Sequence, residues 1–309
     1  MDKIIVIAGP TAVGKTKFSI EIASYFNGEI VSCDSMQIYW YMDIGSAKAT
    51  PAERAQVPHH LVDAADPRDS FSVAAYQKMA LKAVDDILAR GRMPVVSGGT
   101  GLYLNSLLYD LDFSDAPEDG SYRRSLEEKV AQYGSKSLHE MLESLDAHAA
   151  SEIHPNNTKR IIRALERIKH GEEHIRPFRE AEKQSFRYDA LLIGLTRNRQ
   201  ELYDRINRRV DSLMESGLRE EVKNLRDMGL TKDNTAMKAI GYKALMDFLD
   251  GCCTLDEAVE NIKKNTRHYA KKQLTWFRRY GKMEWCNISD FDSDEDAAEE
   301  VISWVRKSI

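Results

Sequence analysis

The octapeptide GPTAVGKT, Gly9 to Thr16, sets two glycines, a lysine and a hydroxyl in the spacing G-x-x-x-x-G-K-[ST]. That spacing is a phosphate-binding loop when it follows a strand and opens a helix. Gly9 and Gly14 let the backbone curl round an anion so that successive N–H groups point inward. A helix N-terminus behind them adds the positive end of its dipole. Gly9, Pro10, Thr11, Ala12, Val13, Gly14, Lys15 and Thr16 are therefore expected to line a diphosphate, with Lys15 as a mobile cation and the Thr16 hydroxyl placed to hold Mg²⁺. Such a loop is blind to what hangs from the diphosphate, so nucleotide hydrolysis does not follow from it.

Other residues offer chemistry that must converge on this loop. Asp34 lies in SCDSMQIYWYMDIGSAK (Ser32 to Lys48). There it can coordinate Mg²⁺, accept a proton from an attacking group, or cap a turn. SGGTGLYL (Ser97 to Leu104) offers Thr100 behind two glycines, and no acid where an ATPase more often places one. Arg205 and Arg209 share one helical face, suited to a diphosphate leaving group or equally to surface salt bridges. From Lys263 to Lys282 the chain carries eight Lys/Arg and no acid, whereas DFDSDEDAAEE (Asp290 to Glu300) reverses the sign. The net charge of −5 thus averages a basic face and an acidic tail. Lys264, Arg267, Lys271, Arg278 and Lys282 form a helical stripe beside Ala270, Leu274 and Phe277, with Tyr269, Trp276 and Tyr280 on the flank. Alone, the stripe reads as a solvated face. With a second basic helix carrying Lys159, Arg160, Arg163 and Arg167, it favours a nucleic-acid backbone as partner.

Short apolar runs alternating with helix-length segments must position these groups, the pattern of a parallel sheet with helices on both faces. The expected strands are Lys3–Ala8, Glu29–Cys33, His60–Asp63, Met93–Ser97 and Ala190–Leu195. Helices are expected at Lys15–Tyr25 and at Val73–Arg90, the latter capped by Ser72. In a doubly wound sheet, ligands sit beyond the carboxyl ends of the strands, which sets Asp34 and Thr100 beside the phosphate loop. From about Ser114 to Arg187 the rhythm breaks into polar helical sequence. The division is therefore a catalytic α/β core, residues 1–113 and 188–309, and a helical insertion, residues 114–187. After Leu195 the chain reads as helical, with breaks at Gly217 and Gly229. The four cysteines lack metal-ligand spacing, which fits a reducing cytosol. No apolar run approaches the ~20 residues that span a bilayer, and no leader precedes the first strand. A cytoplasmic monomer with no membrane role is expected.

GPTAVGKT, SCDSMQIY with MDIGSAK, VPHHLVD, GGTGLYL, AIGYK and RHYAKKQLTWFR resemble, in order, the signature blocks of bacterial tRNA dimethylallyltransferases, over essentially the whole chain. Trp40-Tyr41 replaces a less bulky pair ending in glycine, and Ser46 a threonine. The resemblance implies a P-loop NTPase-like α/β fold with a helical insertion and a helical C-terminal region. It implies transfer of a dimethylallyl group from dimethylallyl diphosphate, with Mg²⁺, to N6 of the adenosine 3′ of the tRNA anticodon. By that match Asp34 is the base, and Lys15, Thr16, Thr100 and Arg205 or Arg209 serve the departing diphosphate. Asp34, Ser35, Met36, Gln37 and Thr100 would hold the anticodon stem-loop, as would Lys238, Ala239, Ile240, Gly241, Tyr242 and Lys243. Arg123, Lys159, Arg160, Ile161, Ile162 and Arg163 of the insertion would clamp it. The alternatives are a small-molecule nucleotide kinase, which leaves the two basic helices unexplained, and a prenyltransferase acting on free AMP, which leaves the insertion unexplained.

Overall fold

The structure is a computed structural model that describes residues 2–109, 111, 120–170 and 186–309. The chain divides into two compact units, Met1–Leu108 with Phe186–Ile309, and Tyr109–Ser185. The expected boundary at 113/114 falls outside the described residues.

The first unit is built on a parallel sheet of six strands: β1 Lys3–Ala8, β2 Gly28–Cys33, β3 His59–His60, β4 Met93–Gly98, β5 Asp189–Thr196 and β6 Glu284–Asn287, in the order β3-β2-β4-β1-β5-β6. Ile4 to Ala8 are buried throughout, as a central strand covered on both faces requires. Ile5 and Ile7 share one apolar core with Val95, Ile193 and Leu195, with Phe18 and Ile22 of the helix Lys15–Tyr25, and with Val301 and Val305 of the helix Asp294–Ser308. The helix Val73–Ala89 starts as expected, with Ser72 Oγ accepting from the Ala75 N–H at 3.1 Å.

Two strand expectations need correction. β3 is two residues long, not His60–Asp63, because Leu61 and Asp63 turn to φ values of 61° and 54° and leave the extended region. β6 went unforeseen: four residues at a sheet edge carry too little alternation to stand out, and only pairing with β5, Ile193 opposite Glu284 to Thr196 opposite Asn287, reveals them. Tyr41 sits at φ 64°, which accounts for the glycine usual at that position in the family it resembles. A residue with a side chain pays roughly 1–2 kcal/mol for that conformation.

After β5 come the helices Arg199–Glu215, Leu218–Asp227, Ile240–Leu249 and Leu255–Phe277. Gly217, at φ 99°, separates the first two as expected, and Gly229 follows the second at φ 92°. The basic stripe is shorter than expected. Its helix ends at Phe277 with Arg278 as C-cap, so Lys282 lies beyond it. Tyr280 is buried, its hydroxyl donating to Asn105 Oδ1, rather than flanking the stripe.

The second unit holds the helices Gly120–Tyr133, Ser135–Leu145, Ala147–Glu152 and Thr158–Lys169, with no strand among its described residues. It has its own core, in which Leu126, Leu138, Leu142, Ile161 and Leu165 are fully enclosed. Each such side chain contributes about 1.5–3 kcal/mol of burial.

Candidate active site

Strand register brings the three chemistry-bearing loops to one level. Ala8 of β1 and Cys33 of β2 both pair with Gly98 of β4. Gly9, Asp34 and Gly99 therefore leave the sheet side by side, over a width of about 10 Å set by strand spacing. The long helix Leu255–Phe277 locks two of these loops together. Gln273 Oε1 accepts the Thr11 N–H at 2.9 Å, and its Nε2 donates to the Gly99 carbonyl at 2.9 Å. A Cβ on Gly99 would lie 2.2 Å from Gln273 Nε2, so the clamp needs glycine there.

The phosphate loop is held by its carbonyls. Arg197 Nε donates to Val13 O and Arg205 Nε to Ala12 O, each at 3.0 Å. Lys15 Nζ donates to Gly9 O at 3.0 Å and Pro10 O at 2.8 Å. Gly14 turns into the helix at φ 118°, a conformation that suits glycine. Cations gathered on the carbonyl side leave the amides for an anion. Two loop positions offer an anion no amide. Pro10 has no N–H to offer, and that of Thr11 already binds Gln273. The amides of Ala12, Val13, Gly14, Lys15 and Thr16 remain.

Asp34 caps a turn, its Oδ1 accepting from the N–H of Met36 at 2.9 Å and of Gln37 at 3.4 Å. The capping reading was thus correct as far as one oxygen goes. Among the described residues, Oδ2 makes no hydrogen bond. The charge of Asp34 bears on several neighbours, among them Lys15, Arg209 and Tyr269. Burial lowers the Lys15 ammonium to about 8 and also lowers the Arg209 guanidinium, with Asp34 opposing the shift in both. Burial and the Asp34 charge raise the Tyr269 phenol, and Thr100 beside it opposes the shift. Thr100 Oγ1 in turn accepts the Ser35 N–H at 3.0 Å and donates to Ser35 Oγ at 3.3 Å. Lys15, Asp34, Thr100, Arg209 and Tyr269 therefore lie near one another at these strand ends.

The arginine pair divides. Arg205 braces the loop from behind, beside Arg197, Glu201 and Asp294. Arg209 makes no hydrogen bond among the described residues and lies within electrostatic reach of Asp34 and Lys15. The Thr16 hydroxyl sits half-buried in the first turn of its helix. No group of three or more His, Cys, Asp or Glu side chains able to hold a metal occurs among the described residues. One hydroxyl at a diphosphate loop nevertheless fits Mg²⁺, which keeps several waters and takes few protein oxygens alongside phosphates.

Several residues expected to touch RNA are committed elsewhere. Ile161 and Ile162 lie in the core of the second unit. Arg123 forms a two-pronged pair with buried Glu166, at 2.9 and 2.8 Å. Tyr242 is fully buried and donates to Glu221 Oε1 at 2.6 Å. Gln37 donates to the Ala47 carbonyl at 3.3 Å and accepts from Ser32 Oγ at 3.1 Å. By contrast Lys159, Arg160, Lys238 and Lys243 are exposed, and Arg163, Ser35, Met36, Ala239, Ile240 and Gly241 are half-buried.

Residues 37–280 match the family model described as IPP transferase. The chain belongs to that family. It is 48% identical to the tRNA dimethylallyltransferase of Alkaliphilus oremlandii (strain OhILAs), over 96% of this chain and 95% of that protein. The structure of a full-length tRNA isopentenylpyrophosphate transferase from Bacillus halodurans is 46% identical and aligns with a TM-score of 0.75, over 100% of this chain and 97% of the other. A eukaryotic dimethylallyltransferase acting on tRNA aligns with a TM-score of 0.85 at 28% identity, over 99% of this chain and 79% of the other. Three side chains that hold these loops, Arg197, Glu221 and Gln273, went unnoticed in the sequence, and Tyr269 was placed only on the flank of the basic stripe. Gln273 had a visible signal, an amide on the apolar side of a basic helix, between Ala270 and Phe277. Arg197 directly follows β5, where the carboxyl-end rule applies.

Proposed function

We propose that this protein transfers a dimethylallyl group from dimethylallyl diphosphate to N6 of the adenosine immediately 3′ of the anticodon in tRNA, releasing diphosphate. The observation that carries the reading is the strand register that brings Asp34 level with the loop Gly9–Thr16, its Oδ2 making no hydrogen bond among the described residues. The adenine amine is a weak nucleophile, because its lone pair is delocalised into the ring. As the N6–C1 bond forms and the C1–O bond to diphosphate breaks, Asp34 takes the amine proton. The amides of Ala12 to Thr16, with Lys15 and Arg209, meet the negative charge growing on the departing diphosphate. Thr16 would hold Mg²⁺ on that diphosphate, where the ion supplies charge neutralisation. Thr100 and Tyr269 flank the place where the base must enter after leaving its stack. The exposed Lys159, Arg160, Lys238 and Lys243 suit the phosphates of the anticodon stem-loop. No described helix is long and apolar enough to cross a membrane. A cytoplasmic monomer is part of the proposal.

Labelled dimethylallyl diphosphate offered with tRNA or with free AMP, and ATP offered with small acceptors, separate this reading from its competitors. Label should enter tRNA alone. Rapid labelling of AMP, or tRNA-independent ATP hydrolysis, would overturn it.

Lys15 gives the reaction a pH signature. With its ammonium lowered to about 8 in the free protein, the cation is present below that pH and lost above it. The kcat/KM for the diphosphate donor, which reports free-enzyme ionisations, should therefore fall as pH rises through about 8. A bound diphosphate holds the proton on, so kcat at saturating donor should change less. A profile of kcat/KM that stays flat to pH 10 would show that the cation is not required.

A further inference from the structure

Glu221, on the helix Leu218–Asp227, accepts four hydrogen bonds on one carboxylate. Its Oε2 takes the N–H groups of Asp43 at 2.8 Å and Ile44 at 2.7 Å; its Oε1 takes the Gly45 N–H at 2.9 Å and the Tyr242 hydroxyl at 2.6 Å. Three successive amides round one anion make a nest whose ligand is a side chain of the protein itself. The fit is close, since a Cβ on Gly45 would lie 2.6 Å from the Tyr242 ring.

The turn so fixed continues toward Asp34. The Ala47 N–H donates to Ile44 O at 2.8 Å, and the Lys48 N–H to Asp43 O at 3.1 Å. This sets the carbonyls of Ser46 and Ala47, which receive Gln37 Nε2 at 3.5 and 3.3 Å. Gln37 is also held by Ser32 Oγ, and its own N–H reaches Asp34 Oδ1. An unbroken chain of hydrogen bonds and backbone thus runs from Tyr242 through Glu221, the 43–47 turn and Gln37 to Asp34.

We propose that Glu221 is a positioning residue for Asp34, aiming its free oxygen by fixing the turn that Gln37 leans on. The inference rests on the reading of Asp34 as acceptor of the adenine proton. Stability alone also calls for an acceptor here, because three backbone N–H groups cannot be exchanged for apolar ones; a positioning role differs in that loosening the turn must slow transfer. What a charged group in a nest adds is direction. Tyr242 also belongs to the segment Lys238–Lys243, so the seat of two exposed lysines and the aim of the base share one anchor.

Glu221→Gln turns one accepting oxygen into an N–H₂ group that faces backbone donors. Its kcat with tRNA should fall about ten- to a hundredfold, the scale of a small misplacement of a reacting group. The KM for dimethylallyl diphosphate should stay within about twofold, because the phosphate loop is braced independently by Arg197, Arg205 and Gln273. Tyr242→Phe keeps the buried ring and should act in the same direction, by about three- to tenfold. The double variant should be no slower than Glu221→Gln alone, since both changes act through one carboxylate. Hydrogen exchange at Asp43, Ile44 and Gly45 should quicken in each. Faster exchange with unchanged kcat would make Glu221 a fastening of the loop and nothing more, and multiplicative losses in the double variant would equally overturn the inference. If Glu221→Gln does not fold, Tyr242→Phe decides by the same readouts. Wild-type protein that transfers no prenyl group to tRNA refutes the proposed function; active wild type matched by active variants refutes this inference alone.

Discussion

Asp34→Asn should slow transfer at saturating substrates by about 10²–10⁴, the usual worth of a positioned base, while tRNA affinity stays close to that of the wild type. The asparagine Oδ1 can still accept from the Met36 and Gln37 N–H groups, so the turn survives the change. What disappears is the anionic oxygen that leaves Asp34 able to take a proton. The reporter is single-turnover prenylation of tRNA alongside a filter-binding isotherm. A variant that keeps near-wild-type turnover would remove Asp34 from the chemistry. One that loses tRNA affinity and rate in proportion would recast it as a binding group.

The second large effect belongs to Arg209. Its guanidinium is desolvated, has no hydrogen-bond partner among the described residues, and lies within electrostatic reach of Lys15 and Asp34. A fixed cation aimed at a developing anion contributes more to the transition state than to the ground state. Arg209→Ala should therefore lower kcat by about 10²–10³, with a smaller change in the KM of the donor. Arg205→Ala offers the contrast. Its loss loosens the Ala12 carbonyl and should appear chiefly as weaker donor binding. If the two variants exchanged these signatures, the assignment of leaving-group charge to Arg209 would fail. Steady-state kinetics with the donor varied at saturating tRNA tells them apart.

The parts of this architecture that were legible in the sequence are those set by local chemistry. The loop at Gly9–Thr16, the helix after it and the Ser72 cap each follow from residues within a few positions of one another. The second unit announced itself in the same way, by polar helical periodicity without strand-like runs. Features decided at long range were opaque. Whether Arg205 or Arg209 lies near Asp34 depends on where the helix Arg199–Glu215 lies against the loop, which the spacing of four does not reveal. Ile161 and Ile162 stand next to Arg160 and Arg163 in the chain, yet helical geometry turns them into a core. β3 ended early because two side-chain-bearing residues adopt left-handed backbone, and no composition rule marks Leu61 for that. Gln273 could be seen as unusual, but its two partners, Thr11 and Gly99, lie far away in sequence.

That distance has a consequence during biosynthesis. Thr11 and Gln273 are 262 positions apart. At about 5–20 residues per second, a ribosome that has made the loop needs roughly 13–50 s more before the residue that clamps it exists. Its other braces, Arg197 and Arg205, also arrive late. A nascent or truncated chain ending before Gln273 holds the complete octapeptide and lacks the tie to Gly99. Capture of donor should thus mark chains translated past that residue.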